Sequence, residues 1–333
     1  MAKITILGCG FGTALAVMAH RYGHIVTLWS LNKNELDDIA RDGENKRLLP
    51  GVTISKEITL TTDLSVVKYS DFIIIAVPSI AMRSVAKLLQ SELPDGKIIV
   101  SVAKGFELGT LKTMSQIINE ELPNNPVVVL SGPSHAEELA RDMATTLVSA
   151  STDEVSSKYI RDVLSNKSLR IYSNSDVIGV QLGGALKNVI AIAAGILDGL
   201  KIGDNAKAAL MTRGLKEIAC LGVHYGAKKE TFTGLTGIGD LIVTCNSLHS
   251  RNNRCGRLIG EGLKPEDAVK AVGMTVEGYT TAKSAYELMK ESNVEMPIIE
   301  QIYKILYTGV AVKDAVGELM CRPSKDEGDV LWL

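Results

Sequence analysis

Three places in this 333-residue chain carry residue types suited to chemistry. From Val177 to Leu197 the sequence is almost wholly apolar, yet Lys187 sits near the centre with Gln181 and Asn188. Desolvation there favours the neutral amine, which suits a lysine to act as general acid or base. The plainer alternative is a long stem that carries the ammonium out to water. Gly183 and Gly184 lie one turn earlier and leave room for a ligand beside the amine or for close packing with the first domain. Farther on, Arg251, Arg254 and Arg257 fall within seven residues, with no acid from Leu241 to Gly260. Guanidinium groups grip phosphate through paired hydrogen bonds, and Ser250, Asn252 and Asn253 add neutral donors. The alternative is a basic, solvated loop. Asp240, in Gly237-Ile238-Gly239-Asp240-Leu241, is placed to accept a hydroxyl hydrogen bond, to orient Lys187 or simply to cap a helix.

The third place is Gly8-Cys9-Gly10-Phe11-Gly12, which follows an apolar strand and opens a helix. This is the setting of a dinucleotide fingerprint. Gly8 permits the tight turn and Gly10 lets a pyrophosphate approach the backbone. The helix start, at Phe11 and Gly12, offers N–H groups and a positive dipole end. The spacing is one residue shorter than the usual G-x-G-x-x-G. No acid stands at the tip of the second strand, Trp29-Ser30-Leu31-Asn32-Lys33, where one usually binds ribose hydroxyls. That leaves room for a 2′-phosphate, which Lys33 could approach.

Alternating elements are needed to hold these groups. Strand patterns at 4–7, 25–29, 72–77, 98–102, 127–130, 146–149 and 170–172 alternate with helical ones at 13–21, 35–42, 80–91, 111–121 and 152–164. This alternation predicts an α/β domain with a parallel, doubly wound sheet over residues 1–175. Helical patterns at 176–197, 205–225, 264–272, 280–291, 298–308 and 312–321 predict an all-α domain over 176–327. Residues 328–333 form a short tail.

The formal net charge of −2 argues against a protein that coats nucleic acid, and aromatics do not interleave with the arginines. Five scattered cysteines without a C-x-x-C pair fit reduced thiols and a cytoplasmic location. The five histidines show no ligand spacing, so no metal is expected. The N-terminus lacks the pattern of a signal peptide. A lysine in mid-span costs ~2.5–3.5 kcal/mol in a bilayer, so Val177–Leu197 reads as a buried helix rather than a membrane span.

Further blocks narrow the reading: Gly12-Thr13-Ala14-Leu15-Ala16, Leu49-Pro50-Gly51-Val52, Ala76-Val77-Pro78-Ser79, Ala103-Lys104-Gly105-Phe106-Glu107 and Ser131-Gly132-Pro133-Ser134-His135-Ala136. The second half adds Gly183-Gly184-Ala185-Leu186-Lys187-Asn188-Val189, Leu235-Thr236-Gly237-Ile238-Gly239-Asp240-Leu241, Ser250-Arg251-Asn252 and Val276-Glu277-Gly278-Tyr279. In this order the blocks resemble the bacterial-type NAD(P)-dependent glycerol-3-phosphate dehydrogenases over nearly the whole chain. The resemblance implies a Rossmann domain joined to a helical domain of the 6-phosphogluconate dehydrogenase C-terminal type, with the site between them. It implies NAD or NADP as cofactor and a small phosphorylated substrate. The reaction implied is reversible reduction of dihydroxyacetone phosphate to sn-glycerol 3-phosphate for glycerophospholipid synthesis. Lys187 is then the proton donor or acceptor. Lys104, Gly132, Ser134, Asp240, Ser250, Arg251 and Asn252 serve the substrate. Gly8, Gly10, Phe11, Gly12, Lys104, Ala136, Arg251 and Glu277 serve the cofactor.

Two departures stand out. The family turn usually reads G-x-G-S-aromatic-G, and no Ser separates Gly10 from Phe11 here. Leu31 stands where a basic residue often follows the strand-end Trp. Two other readings stay open: a β-hydroxyacid-type reductase, and a catalytically weak nucleotide-binding homologue. A homodimer is expected by fold analogy alone.

Overall fold

The computed structural model describes residues 1–324, so the tail at 328–333 lies outside the described residues. The chain divides into two compact units. One comprises Met1–Lys104 and Lys112–Val177; the other comprises Gly105–Leu111 and the chain from Ile178 onward. The excursion of Gly105–Leu111 into the second unit has no signature in the sequence pattern.

The first unit is built on an eight-stranded sheet. Its elements are β1 (Lys3–Leu7), α1 (Phe11–Arg21), β2 (Ile25–Trp29), α2 (Lys33–Asp42), the hairpin β3 (Glu44–Asn45) and β4 (Leu49–Thr53), and β5 (Thr59–Thr61). Then come β6 (Phe72–Ile75), α3 (Met82–Leu89), β7 (Ile98–Ser101), α4 (Met114–Glu121), β8 (Val127–Ser131), α5 (Ala136–Ala140), β9 (Thr145–Ala150), α6 (Glu154–Leu164) and β10 (Leu169–Asn174). The strand order is β10-β9-β8-β7-β6-β1-β2-β5. Helices cover both faces. Phe72 and Ile74 join the core under α1, α2, α5 and α6, whereas Ile73 and Ile75 join the core under α3 and α4. Burial on both faces is why β6 reads as a continuous apolar run.

The sequence pattern predicts a parallel sheet, and the structure corrects this at one edge. β9 runs antiparallel to β8, and β10 pairs parallel to β9, so these two strands oppose the rest. The β8–β9 connection carries only the five-residue α5. That helix spans about 7 Å, too little to return the chain along the sheet before β9.

The second unit is helical: α7 (Val177–Leu200), α8 (Asp204–His224), α9 (Lys229–Phe232), α10 (Asp240–Asn246), α11 (Arg251–Gly260), α12 (Pro265–Val272), α13 (Glu277–Ser292), α14 (Pro297–Tyr307) and α15 (Val312–Met320). α7 is long and apolar enough to cross a membrane, but it is buried along most of its length in this fold. Glycines let α11 press against it. A Cβ on Gly195 would fall 2.0 Å from the Asn253 carbonyl oxygen, and one on Gly256 would fall 2.0 Å from that of Ile192. The supposed arginine-rich loop is therefore a helix locked to α7. Its periodicity is hidden because the buried face carries Asn252 and Asn253.

On α8 the buried Glu217 accepts the N–H groups of Ile298 at 2.8 Å and Ile299 at 3.1 Å, at the start of α14. Burial pushes its pKa up to about 8, although those two hydrogen bonds pull it down.

Two outcomes follow. Gly256→Ala should destabilise the protein by about 1–3 kcal/mol or more in chemical denaturation, because no side-chain motion relieves a backbone clash. Gly317→Ala is the control, since no atom lies within 4 Å of its Cβ position in α15; it should be neutral or stabilising by up to about 1 kcal/mol. Between pH 4.5 and about 8 the folded state retains a proton on Glu217 that the unfolded chain has released. Stability should therefore fall as pH rises through this window. Tm measured across it should slope less in Glu217→Gln; an unchanged slope would assign the effect elsewhere.

Candidate active site

The glycine turn is assembled as a backbone device. Gly8 adopts φ +110°, and a Cβ there would sit 2.8 Å from the Ala76 carbonyl oxygen. Its N–H donates to the Trp29 carbonyl at 2.8 Å, which sets the turn beside the end of β2. Gly12 is demanded by packing, since a Cβ would lie 3.0 Å from Ile6 Cγ2 and 3.1 Å from Ala76 Cβ. Gly10 differs: nothing lies within 4 Å of its Cβ direction. α1 starts at Phe11 with no acid in its first turn and no side-chain cap. An uncapped helix start beside open space fits an anion such as a dinucleotide pyrophosphate. The shorter turn therefore keeps the separate roles of its three glycines.

Asn45, which the sequence pattern does not single out, braces this turn. Its Nδ2 donates to the Cys9 carbonyl at 2.9 Å, and the Thr13 hydroxyl donates to the same oxygen at 2.6 Å. Lys33 does not face the turn as a free cation. It opens α2 and pairs with Asp37 one turn on, at 2.7 Å.

Also in the first unit, Lys104, Gly132 and Ser134 come together. The Gly132 carbonyl accepts Lys104 Nζ at 3.0 Å and the Ser134 hydroxyl at 3.1 Å. Gly132 leaves β8 at φ +137°, where a Cβ would press to 3.0 Å from the Thr146 carbonyl oxygen. Ala136 begins α5 immediately afterwards.

In the second unit Lys187 is only 5% exposed and Asp240 1%. Lys187 does not extend out to solvent. Its Nζ donates to Asp240 Oδ1 and, at 2.7 Å, to the Thr244 hydroxyl. That hydroxyl in turn donates to the Asp240 backbone carbonyl at 2.6 Å. Leu235–Gly239 forms a π-helical turn that delivers Asp240 to the start of α10. Gly183, four residues before Lys187 and so on the same face of α7, lets this turn approach. A Cβ there would lie 2.5 Å from the Thr236 carbonyl oxygen. Gly183 thus serves close packing inside its own unit.

Beside the lysine, Asn188 Oδ1 accepts Asn252 Nδ2 at 2.9 Å, and Asn252 Oδ1 accepts the Gly278 N–H at 2.9 Å. This chain joins α7, α11 and the first turn of α13, where Glu277 stands half-buried. Ser250 caps α11 by accepting the Asn253 N–H at 3.2 Å. Arg251 is exposed at the first helical position. The three arginines do not form one clamp, because Arg257 turns to Asp198 at 3.8 Å. Asp198 also takes Lys207 at 2.9 Å and Asn253 at 3.0 Å. Thr244 escapes sequence reasoning, since a lone Thr gives no signal until its distant partner is known.

Chemically, this is a buried ammonium beside a fixed countercharge and a neutral hydroxyl acceptor, a geometry able to deliver a proton. The nearby thiols are not competing nucleophiles: burial pushes Cys245 up to about 12 and Cys255 up to about 11. Among the described residues no cluster of His, Cys, Asp or Glu could hold a metal ion.

Removing one partner of a buried ion pair leaves the other uncompensated. Asp240→Asn should therefore lower unfolding free energy by about 3–5 kcal/mol, and Thr244→Val by about 1–3 kcal/mol. Adding Lys187→Met to Asp240→Asn should recover much of the loss. Additive losses in that cycle would show that the two side chains are not coupled.

Comparison with known proteins identifies the family. The model of the NAD-dependent glycerol-3-phosphate dehydrogenase N-terminus matches residues 3–168, and that of the C-terminus matches residues 176–317. A glycerol-3-phosphate dehydrogenase [NAD(P)+] of Fusobacterium nucleatum is 50% identical over 98% of this chain and 99% of its own length. One from Clostridium perfringens is 47% identical over 98% and 99%. The crystal structure of glycerol-3-phosphate dehydrogenase from Coxiella burnetii superposes with a TM-score of 0.93 at 38% identity, covering 96% of this chain and 99% of that one. The chain belongs to the NAD-dependent glycerol-3-phosphate dehydrogenase family.

Proposed function

We propose that the chain catalyses the reversible NAD(P)H-dependent reduction of dihydroxyacetone phosphate to sn-glycerol 3-phosphate, supplying glycerophospholipid synthesis in the cytoplasm. The observation that carries the reading is the buried Lys187 held by Asp240 and Thr244, in a chain half identical to enzymes of that name. The first unit, with Gly8, Gly10, Phe11 and Gly12 at its glycine turn, holds the cofactor, aided by Lys104, Ala136, Arg251 and Glu277. When bound, the nicotinamide supplies the hydride that reaches the carbonyl carbon.

Lys187 Nζ donates a proton to the substrate oxygen as the carbonyl becomes an alkoxide, and recovers one in the reverse direction. Asp240 keeps the amine oriented and balances its charge. Thr244 fixes the direction of the remaining donors. Arg251, Asn252 and Ser250 take the substrate phosphate, while Lys104, beside Gly132 and Ser134, adds positive charge for the substrate oxygens. A homodimer is expected from fold analogy, and light scattering reads it directly.

The test is oxidation of NADH and of NADPH with dihydroxyacetone phosphate, beside unphosphorylated hydroxyketone and keto-acid controls. Turnover should need the phosphate; preference for a plain keto acid would instead identify a hydroxyacid reductase. Lys187→Ala should cut turnover by about 10²–10⁴-fold while the dissociation constant of the cofactor stays near the parent value. Lost cofactor binding with retained chemistry would overturn the role given to Lys187.

A further inference from the structure

In dinucleotide-binding folds the adenosine ribose lies at the end of the second strand, where an acid takes the hydroxyls or an arginine takes a 2′-phosphate. The tip of β2 here, Ser30-Leu31-Asn32-Lys33, has no acid, and its one cation is committed to Asp37. Two groups reach that place from elsewhere. Glu35, in the first turn of α2, accepts the Ser30 hydroxyl on Oε2 at 3.1 Å and Arg47 Nη2 on Oε1 at 2.6 Å. Arg47 comes from the connection between β3 and β4.

We propose that Arg47, pinned by Glu35, is the residue that reads the 2′ position of the cofactor's adenosine ribose and that it equips this chain to bind a 2′-phosphate. The inference rests on reading the glycine turn as a dinucleotide site.

Three observations carry it. First, the pair adjoins the turn. The Gly8 N–H donates to the carbonyl of Trp29 at 2.8 Å, and the next residue, Ser30, donates its hydroxyl to Glu35. Second, Arg47 is held in place. Asn45, two residues before it, donates to the Cys9 carbonyl and accepts the Leu48 N–H at 3.1 Å, so the segment carrying Arg47 is tied down on both sides. Third, the two charges are unequally presented. The Glu35 side chain is 13% exposed and already bonded on both oxygens, whereas the Arg47 side chain is 65% exposed. A guanidinium has five N–H donors, and Glu35 engages one edge. For an incoming ribose hydroxyl, Glu35 is a weakened acceptor, because it already shares its charge with Arg47 and Ser30. A phosphate monoester meets the outward donors, with the repulsion from Glu35 already neutralised.

The test measures binding of NADPH, NADH, 2′,5′-ADP and 5′-AMP to the full-length protein by calorimetry. The expected result for Arg47→Ala is NADPH and 2′,5′-ADP weakened about 10–100-fold, the range of a charge-assisted hydrogen-bond pair. NADH and 5′-AMP should stay near parent values or tighten, because Glu35 becomes free to accept a ribose hydroxyl. Arg47→Lys should recover part of the NADPH affinity, and it provides the reading if the alanine variant folds poorly. Equal weakening of all four ligands would mean that Arg47 only supports the turn, and no weakening would mean that it faces no ligand; either overturns the inference alone. A parent protein that binds neither NADH nor NADPH would instead overturn the dinucleotide reading itself.

Discussion

An ammonium group cannot be buried alone. Removing it from water costs several kcal/mol after relaxation, and α7 carries no acid near Lys187 to balance its charge. The countercharge must come from another segment, delivered to within hydrogen-bonding distance. Much of the helical unit is arranged to do this. The π-helical turn at Leu235–Gly239 abuts α7 at Gly183, one helical turn before Lys187, and hands Asp240 to the amine. Thr244, one turn along α10, takes a second donor and ties its own proton back to the Asp240 carbonyl. A well-packed apolar pair would give comparable stability without these demands. The arrangement is therefore best understood through the proton it can move.

The same economy of backbone appears wherever a segment must come very close. Gly195 and Gly256 let α7 and α11 touch main chain to main chain. That contact sets Asn252 against Asn188 and carries Ser250 and Arg251 to the same end of α11. Gly278 completes the arrangement, since a Cβ there would lie 2.5 Å from the Asn188 carbonyl oxygen. Groups from three helices are thus held by packing that tolerates no side chain, rather than by flexible loops. This is what keeps Lys187 and the start of α11 in constant relation, as the proposed roles in proton transfer and phosphate binding require.

What the sequence made legible follows from what is local. Strand and helix periodicities, the glycine turn and the anomalous lysine each declare themselves within a few residues. The misread elements have a common physical cause. α11 buries asparagines, so its inner face looks polar and its helix looks like a loop. The reversal at β9 depends on a connection whose helix is too short for a crossover, which no hydrophobic pattern records. The partners Thr244, Asn45 and Arg47 are ordinary polar residues until folding brings them to Lys187, Cys9 and Glu35. Charge pairing across the chain was invisible in the same way. Three arginines within seven residues suggested one clamp, but Asp198, more than fifty residues earlier, claims Arg257.

The shortened glycine turn shows how a departure from a pattern can be confined. Two of its glycines are held by the protein: Gly8 by its positive φ and by Ala76, and Gly12 by Ile6 and Ala76. A missing residue at either would break the contact between β1, α1 and β6. The missing position lies between Gly10 and Phe11, where the Cβ direction of Gly10 meets no protein atom. The fold therefore absorbs the loss without strain on its core, and the consequence falls on the ligand side, as one N–H and one hydroxyl fewer for a pyrophosphate. With fewer donors at the phosphates, contacts elsewhere on the nucleotide weigh more in total affinity. The end of β2, where Glu35 holds an exposed guanidinium, is where the proposed 2′ contact would add to it.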